Sequence, residues 1–454
     1  MKLNYKRTFF IGLAFLSISS FWQLYDNIIP LMLKNTFGVG ETLTGAIMAI
    51  DNVLALIMLP LFGALSDRVD TRLGKRTPFI IFGTFIAVIC MAFLPLADRL
   101  KSLPMFFIAL GMVLLAMSTY RSPAVALMPD LTPKPLRSKA NAVINLMGAV
   151  GGLFALVSIR LFTVESGPGK DYTWVFLAIA LLMIGSVAVL VSTIKEKKLL
   201  SELADELVEE AEEDKLLSHE TDQAKLGQEQ LAGDQENKES VKAKSKKKVK
   251  LAREVRKSLV FLLASVFLWF TAYNAVTTAF SRYAQEVWKL GTGFTGPLMV
   301  AIVAATLSFI PIGFISSKIG RKKTILAGIC LMSASYFAGI WFANYSAWLN
   351  ILFVMIGVGW ASINVNSFPM VVEMSKGTDI GKYTGIYYTF SMLAQVFTPV
   401  FSGFLIETIG SYRVLFPYAV VFSILSFLSM LMVRHGDHKP EKKKDLLENL
   451  DVAD

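Results

Sequence analysis

The sequence predicts an all-α membrane protein, with twelve transmembrane helices arranged as two pseudo-symmetric six-helix bundles. Three observations predict it. Twelve apolar stretches of about 20 residues recur along the chain. The loops between them alternate in charge, and one loop pattern occurs twice, six spans apart. The 454 residues are 54% hydrophobic, with a mean hydropathy of +0.54. A bilayer core about 30 Å thick takes roughly 20 helical residues to cross at 1.5 Å each. With no water there to bond the backbone, segments of this length cross as helices.

In chain order, the spans are expected near 8–33, 43–66, 77–97, 103–129, 138–163 and 172–194, then near 258–282, 293–317, 322–343, 347–371, 382–406 and 412–434. The chain therefore divides into an N-terminal bundle (1–194), a charged linker (195–257), a C-terminal bundle (258–434) and a tail (435–454). The first span lacks a small-residue cleavage site and is too long for a signal-peptide core, so it is expected to stay in the protein.

Every second loop is rich in Lys and Arg. Lys2, Lys6 and Arg7 precede span one; Arg68, Arg72, Lys75 and Arg76 follow span two; Lys134, Arg137 and Lys139 follow span four; Lys318, Arg321, Lys322 and Lys323 follow span eight. The intervening loops hold scattered cations such as Lys34, Arg99, Lys101, Lys170 and Lys289. The positive-inside rule places the basic loops and both termini in the cytoplasm, as an even number of spans requires. The net charge of +10 is mostly this asymmetry plus the linker, so no nucleic-acid partner is expected. Cys90 and Cys330 both fall inside spans, which excludes a disulfide framework and assigns them to packing.

The linker begins acidic, from Glu202 to Asp214, and ends basic, from Lys242 to Lys257. Leu199, Leu203, Leu207 and Val208 recur at helical spacing, which suggests a short helix beside the bundle. Residues 215–245 are too polar to order themselves.

The repeat is the next signal. Span two runs into Gly63-Ala-Leu-Ser-Asp67-Arg68, followed by Arg72, Gly74, Lys75 and Arg76. Span eight runs into Gly313-Phe-Ile-Ser-Ser-Lys318-Ile-Gly320-Arg321. Removing Asp70 to Leu73 brings the two into register. A weaker echo pairs Gly111 and Pro123 with Gly357 and Pro369. Gly63 is expected to let two helices approach closely, and Asp67 with the nearby arginines to form an ion-pair latch across the halves on the cytoplasmic side. Asp130 and Glu373, which close spans four and ten, are expected to join that gate by pairing with Arg137, Lys139 or Lys382.

This loop is a signature of the major facilitator superfamily, which the chain resembles along all twelve spans. The stretch from Pro60 to Ile80, the segment Arg121-Ser-Pro-Ala-Val-Ala-Leu-Met-Pro-Asp130 with Arg137 to Asn141, and the late Gly385-Ile-Tyr-Tyr-Thr-Phe-Ser resemble the glycoside–pentoside–hexuronide:cation symporters. Within them the sucrose-transporter-like branch is the nearest. The resemblance implies uptake of a disaccharide or glycoside driven by H⁺ or Na⁺, in a bacterial plasma membrane, by a small-molecule carrier without cofactor or metal. It also implies a monomer.

Ionisable residues inside a bilayer cost roughly 2.5–3.5 kcal/mol each on insertion scales, so each is a functional candidate. Asp26 in span one and Asp51 in span two fall at similar depth, and Arg121 in span four supplies a counter-charge. Protonation of either carboxylate would weaken that attraction and change the favoured conformation. A permanent structural ion pair is the competing reading. Sodium-coupled relatives carry two acids one turn apart in span two. Those positions are Ala55 and Leu59 here. Their span-four acid aligns with Arg121 and their span-five Arg with Asn145, while a higher span-four acid of the sucrose branch aligns with Leu114. Asp26, which matches a sugar-binding acid, is retained. These departures favour H⁺ and leave the carrier open between Asp26 and Asp51.

Sugar recognition asks for carboxylates and amides on the hydroxyls and for aromatic faces on the ring. Candidates are Trp22 and Tyr25 beside Asp26, Asn145, Tyr273 and Asn274 in span seven, Trp360, Asn364 and Asn366 in span ten, and Tyr387, Tyr388 and Gln395 in span eleven. Asn364 and Asn366 cannot reach one spot unless their helix breaks near Pro369. Arg160, Arg282 and Glu286 read as outer-end residues that snorkel or pair in an outer gate. The glycines at 148, 151 and 152 read as helix packing. The leading function is proton-coupled import of an α-glucoside disaccharide, maltose or sucrose. The alternatives are a carrier of lysolipids or organic cations, or a non-transporting scaffold. No nucleophile–base pair or metal-ligand cluster supports an enzyme, and the three histidines, His219, His435 and His438, all lie in polar segments.

Overall fold

A computed structural model describes residues 4–133, 136–166, 169–203, 253–374 and 380–437. Among them are twelve helices long and apolar enough to cross a membrane. The first half contributes α1 (Tyr5–Asn35), α2 (Glu41–Arg68), α3 (Thr77–Arg99), α4 (Leu103–Asp130), α5 (Arg137–Phe162) and α6 (Thr173–Thr193). The second contributes α7 (Arg253–Glu286), α8 (Thr295–Ile319), α9 (Arg321–Ile340), α10 (Leu349–Glu373), α11 (Ile380–Ile409) and α12 (Leu415–Leu431). Several helices outrun the apolar windows, α7 most of all. Charged ends such as Arg253 to Lys257 are poor in lipid but compatible with helix in water.

Local chemistry starts and stops these helices. Asn4 caps α1 by accepting the Arg7 N–H at 2.9 Å. Pro78 and Pro104 stand in the first turns of α3 and α4, where a missing N–H costs nothing. Gly320, at φ +97°, separates α8 from α9 in a conformation that suits glycine.

The packing repeats between the halves. In the first, α1 packs on α5 and α6, α3 on α4 and α6, and α2 on α4; in the second, α7 packs on α11 and α12, α9 on α10 and α12, and α8 on α10. Every one of these pairs recurs six helices later. The halves meet mainly along α2 with α11, α5 with α8 and α1 with α7. The glycines at 148, 151 and 152 do pack helices: a Cβ on Gly151 would lie 2.2 Å from the Leu16 carbonyl oxygen on α1. Gly63 sits close against α4, where a Cβ would lie 3.1 Å from Ser122 Oγ, whereas Gly313 faces open space, so the close approach is made in the first half and not repeated in the second.

Two features were not expected. A two-stranded hairpin, Val164–Ser166 with Gly169–Asp171, links α5 to α6. Cys330 lies on an exposed face rather than in the packing, while Cys90 is half-buried. After α6 a short helix runs from Glu196 to the last described residue of that segment, with Leu203 buried. The remainder of the charged linker and most of the tail, with His219, His438 and Lys134, lie outside the described residues, as do the side chains of Lys139 and Lys382.

Candidate functional site

Between the halves, α1 presents a polar stripe. Trp22, Gln23 and Asp26 are half-buried, and Tyr25 is 1% exposed. Their three- and four-residue spacing keeps them on one side of the helix. Trp22 and Tyr25 meet edge to face at 5.3 Å. Across from them, Asp51 on α2, Arg121 on α4 and Asp26 lie within electrostatic reach of one another. Arg121 makes no ion pair with either carboxylate; its guanidinium instead lies over the Trp22 ring, 5.4 Å from the centroid. The permanent ion pair is therefore not what the structure shows. Asp51 Oδ1 accepts a hydrogen bond from the Asn52 amide at 2.7 Å.

The second half faces this centre with α7 and α10. Tyr273 lies within electrostatic reach of Asp26. Its ring stacks on Trp360 at 6.0 Å, and Phe309 closes the edge of Trp360 at 5.7 Å. On these two helices, Trp22 Nε1 and Tyr25 OH of α1 and Asn274 Nδ2 of α7 are buried without a hydrogen-bond partner. Leaving such a group unpaired costs about 1–3 kcal/mol. The arrangement therefore offers donors, acceptors, a cation without an ion-pair partner and a flat aromatic wall to one polar guest.

The remaining candidates separate. Asn145 is exposed, two turns along α5 from Gly152, whose missing Cβ would approach Gln23 Oε1 and Ile302 of α8. That face looks toward the second half. Asn364 is half-buried, whereas Asn366 is 1% exposed and donates to the Ser362 carbonyl at 2.8 Å. Unbroken α10 thus sends the two asparagines in different directions, and Asn366 is a packing residue. Gln395 donates to Ser391 O at 3.3 Å, Tyr387 shares a hydrogen bond with Ser367 at 2.9 Å, and Tyr388 is 50% exposed. None of these three is drawn into the charged centre. Sequence reading missed Gln23 and Asn52, although each sits beside a carboxylate already singled out.

At the end of the bundle that carries both termini, Arg76 is 6% exposed and bridges Asp67 and Asp130, reaching Asp130 at 2.9 Å. The guanidinium also donates to the Gly63 carbonyl and to Ser66. Burial lowers the readiness of Arg76 to stay charged, but the two carboxylates outweigh that and raise its pKa. The latch thus lies within the first half rather than across the halves. Glu196 completes it from below: fully buried, it accepts the backbone N–H groups of Lys75, Arg76 and Thr77 at 2.8–2.9 Å and the Thr77 hydroxyl at 2.7 Å. Gly74, at φ +115°, makes room, since a Cβ there would meet Glu196 at 2.4 Å.

The second half repeats the device more loosely. Glu373 pairs with Arg321, and Asp437 takes the place of Glu196, accepting the Lys322 N–H at 3.3 Å. Asp130 and Glu373 thus find Arg76 and Arg321, while Arg137 turns to the carbonyls of Pro129 and Thr132. Arg68, Arg72 and Lys75 are exposed and hold no partner among the described side chains.

The opposite end is stitched across the halves. Arg282 of α7 lies 3.4 Å from Glu41 of α2, and Lys34 of α1 lies 2.9 Å from Glu286 of α7. Tyr412 donates to Glu41 and accepts from Lys34, and Thr42 bonds Glu407 of α11. A Cβ on Gly45 would stand 2.0 Å from the Pro399 carbonyl oxygen, and one on Gly403 would stand 2.4 Å from that of Glu41. Arg282 and Glu286 therefore pair across the halves at this end. Arg160 approaches the second half, where a Cβ on Gly296 would lie 3.5 Å from its guanidinium.

The family model of the Major Facilitator Superfamily matches residues 11–362 and 298–450. A sucrose transport protein of Arabidopsis thaliana is 31% identical over 137 residues, which is 26% of this chain and 23% of that protein. An isoprimeverose transporter of Lactiplantibacillus pentosus is 19% identical over 393 residues, covering 83% of this chain and 74% of that one. The chain thus aligns with about a quarter of the length of the sucrose relative. Among solved structures, the inward open form of the xylose transporter XylE from E. coli matches at TM-score 0.64 and 16% identity over 98% of both chains. A POT peptide transporter matches at 0.68 and 13%, over 94% of this chain and 93% of that one. These structural likenesses show the fold.

Proposed function

The chain belongs to the Major Facilitator Superfamily, and we propose that within it the protein is a proton-coupled sugar symporter that imports a disaccharide, maltose or sucrose, by alternating access. One observation carries the reading: Trp22 Nε1 and Tyr25 OH on the helix of Asp26, and Asn274 Nδ2 beside Tyr273 on the facing helix, are buried polar atoms without a hydrogen-bond partner, and Asp26 lies within reach of Asp51, Arg121 and Tyr273. A polyhydroxyl guest satisfies donors and acceptors together, and its C–H face suits the Tyr273–Trp360 stack. The polar lining fits a sugar better than a lysolipid. Relatives named for sucrose and isoprimeverose transport support the same class.

In this reading Trp22, Gln23, Tyr25, Asp26 and Arg121 bind from the first half, and Tyr273, Asn274, Trp360 and Asn364 from the second. Asn145 lines the path toward the basic end. That end is cytoplasmic, in a plasma membrane, and one copy of the chain suffices. A proton on the Asp26–Asp51 pair cuts its net charge and its pull on Arg121, freeing the guanidinium for the sugar and for rearrangement of the halves. With the far end stitched and no ion pair across the basic end among the described residues, the reading takes this state as open inward.

The test is uptake of labelled maltose and sucrose into proteoliposomes, with and without an inward proton gradient. The reading expects accumulation that needs the gradient. Folded protein that moves neither sugar overturns the disaccharide assignment.

A further inference from the structure

We propose that Asn52 makes Asp51 the fixed anion of the central site and leaves Asp26 as the carboxylate that takes up and releases the coupling proton. The inference rests on the proton-coupled reading above and deepens it, since nothing in the sequence pattern separates the two acids.

Asp26 and Asp51 share one field. Both feel Arg121, Asp26 feels Asp51, and both act on Tyr25. What touches them differs. Asp51 Oδ1 accepts from Asn52 Nδ2 at 2.7 Å, whereas Asp26 accepts no hydrogen bond from any described residue. An amide N–H stabilises a carboxylate and gives less to a protonated acid, so it holds the charge where it points. Two carboxylates and one guanidinium carry a net charge of about −1, and low-dielectric surroundings resist keeping both acids ionised. A single proton neutralises the set, and it goes to the acid without a donor.

The neighbours do not upset this assignment. The charged or titratable groups facing Asp26 are Tyr25 on its own helix, Asp51 on α2, Arg121 on α4 and Tyr273 on α7. Of the other helices packed on α1, α6 has no charged or titratable side chain, and α5 has them only near its ends, at Arg137, Lys139 and Arg160. Neither Tyr25 nor Tyr273 donates to Asp26. Proton transfer is then a one-site event: Asp26 gains H⁺ from the compartment the cavity faces and returns it after the halves have moved.

Infrared difference spectroscopy across a pH titration, recorded without sugar, reads the proton holder directly through the C=O stretch of a protonated carboxylic acid. The wild type is expected to show one such band. Asp26→Asn should abolish it, whereas Asp51→Asn should keep a band that appears only at lower pH, because the site has lost one negative charge. In the Asn52→Leu background, Asp51→Asn should now remove part of the band, because Asp51 has lost its side-chain donor and competes for the proton. Asp26→Glu should keep a band at a displaced position, and a monodisperse elution profile qualifies each variant as folded. A band that survives Asp26→Asn and vanishes in Asp51→Asn overturns the inference, as does the absence of any acid band in folded wild type. An Asp51→Asn effect of the same size with Asn52 and with Leu at that position removes the role given to Asn52. A normal band without gradient-driven sugar uptake overturns the sugar reading and leaves this assignment standing.

Discussion

At the end of the bundle away from the termini, charges from one half find partners in the other. Arg282 meets Glu41, Lys34 meets Glu286, and Thr42 meets Glu407. At the basic end each half keeps its charges to itself: Arg76 with Asp67, Asp130 and Glu196 in the first, Arg321 with Glu373 and Lys322 with Asp437 in the second. No ion pair joins the halves there among the described residues. The lesson is mechanical. An end whose polar groups are satisfied internally is free to part, while an end whose groups need the other half stays closed until something replaces them. In the transport cycle proposed above, the basic loops would act as braces that keep each half rigid.

Breaking the far-end stitching should have the largest effect. Arg282→Gln takes from Glu41, whose side chain is 11% exposed, its partner on α7 and leaves it only Tyr412 and Lys34, at a cost of about 3 kcal/mol to the closed far end. Sugar exchange should slow and probes from the far side should reach Asp51, as read by thiol accessibility in a cysteine-free background. Gly45→Leu attacks the same closure by bulk, since its Cβ would stand 2.0 Å from Pro399 O. An expected cost of about 3 kcal/mol should lower the closed population roughly a hundredfold.

At the basic end, Glu196→Gln turns an acceptor of three backbone N–H groups into one that also carries a donor. The expected loss is about 2 kcal/mol of stability in the first half, seen as a lower melting temperature with the far-end accessibility unchanged. Equal movement of both readouts would mean that the two ends are not separate devices.

The hairpin gives a smaller, pH-dependent case. Burial raises the Asp171 carboxyl, but hydrogen bonds from Arg99 and Thr173 outweigh it and hold its pKa below the ordinary value. A depressed folded pKa contributes stability above the unfolded value and loses it as the pH falls through the folded one. Protection of the Thr173 amide, which bonds Asp171 at 2.9 Å, should therefore weaken only below about 3.8, the ordinary Asp value, in hydrogen exchange. Lys197→Ala removes an exposed pair with Asp70 at 3.2 Å and should change stability by no more than about 0.5 kcal/mol.

The fold was almost wholly legible, because hydropathy, loop charge and an internal repeat all act on the scale of whole helices. The site was legible in part. Asp26, Asp51 and Arg121 announce themselves because charge in a membrane is costly. Gln23 and Asn52 do not, since a polar amide in a helix is cheap enough to be packing. Asn366 shows the converse, an amide that looks like a ligand and is spent on Ser362. The latch was read from a pattern that names its residues but not their partners. Glu196 lies 120 residues from Arg76 along the chain, and spacing carries no trace of that contact. The hairpin escaped because three-residue strands leave too short a pattern.

The central claim is that the two ends open in turn around one polar site. Spin-label distances measure it most directly, with one pair at the basic end (Arg72 and Lys318) and one at the far end (Leu100 and Trp348), each exposed and each pair spanning the halves. Without sugar, the basic-end pair should be long and the far-end pair short. Maltose or sucrose at acidic pH should shorten the first and lengthen the second within the same sample. Distances that move in the same direction at both ends, or that ignore sugar and pH in folded protein, would contradict it.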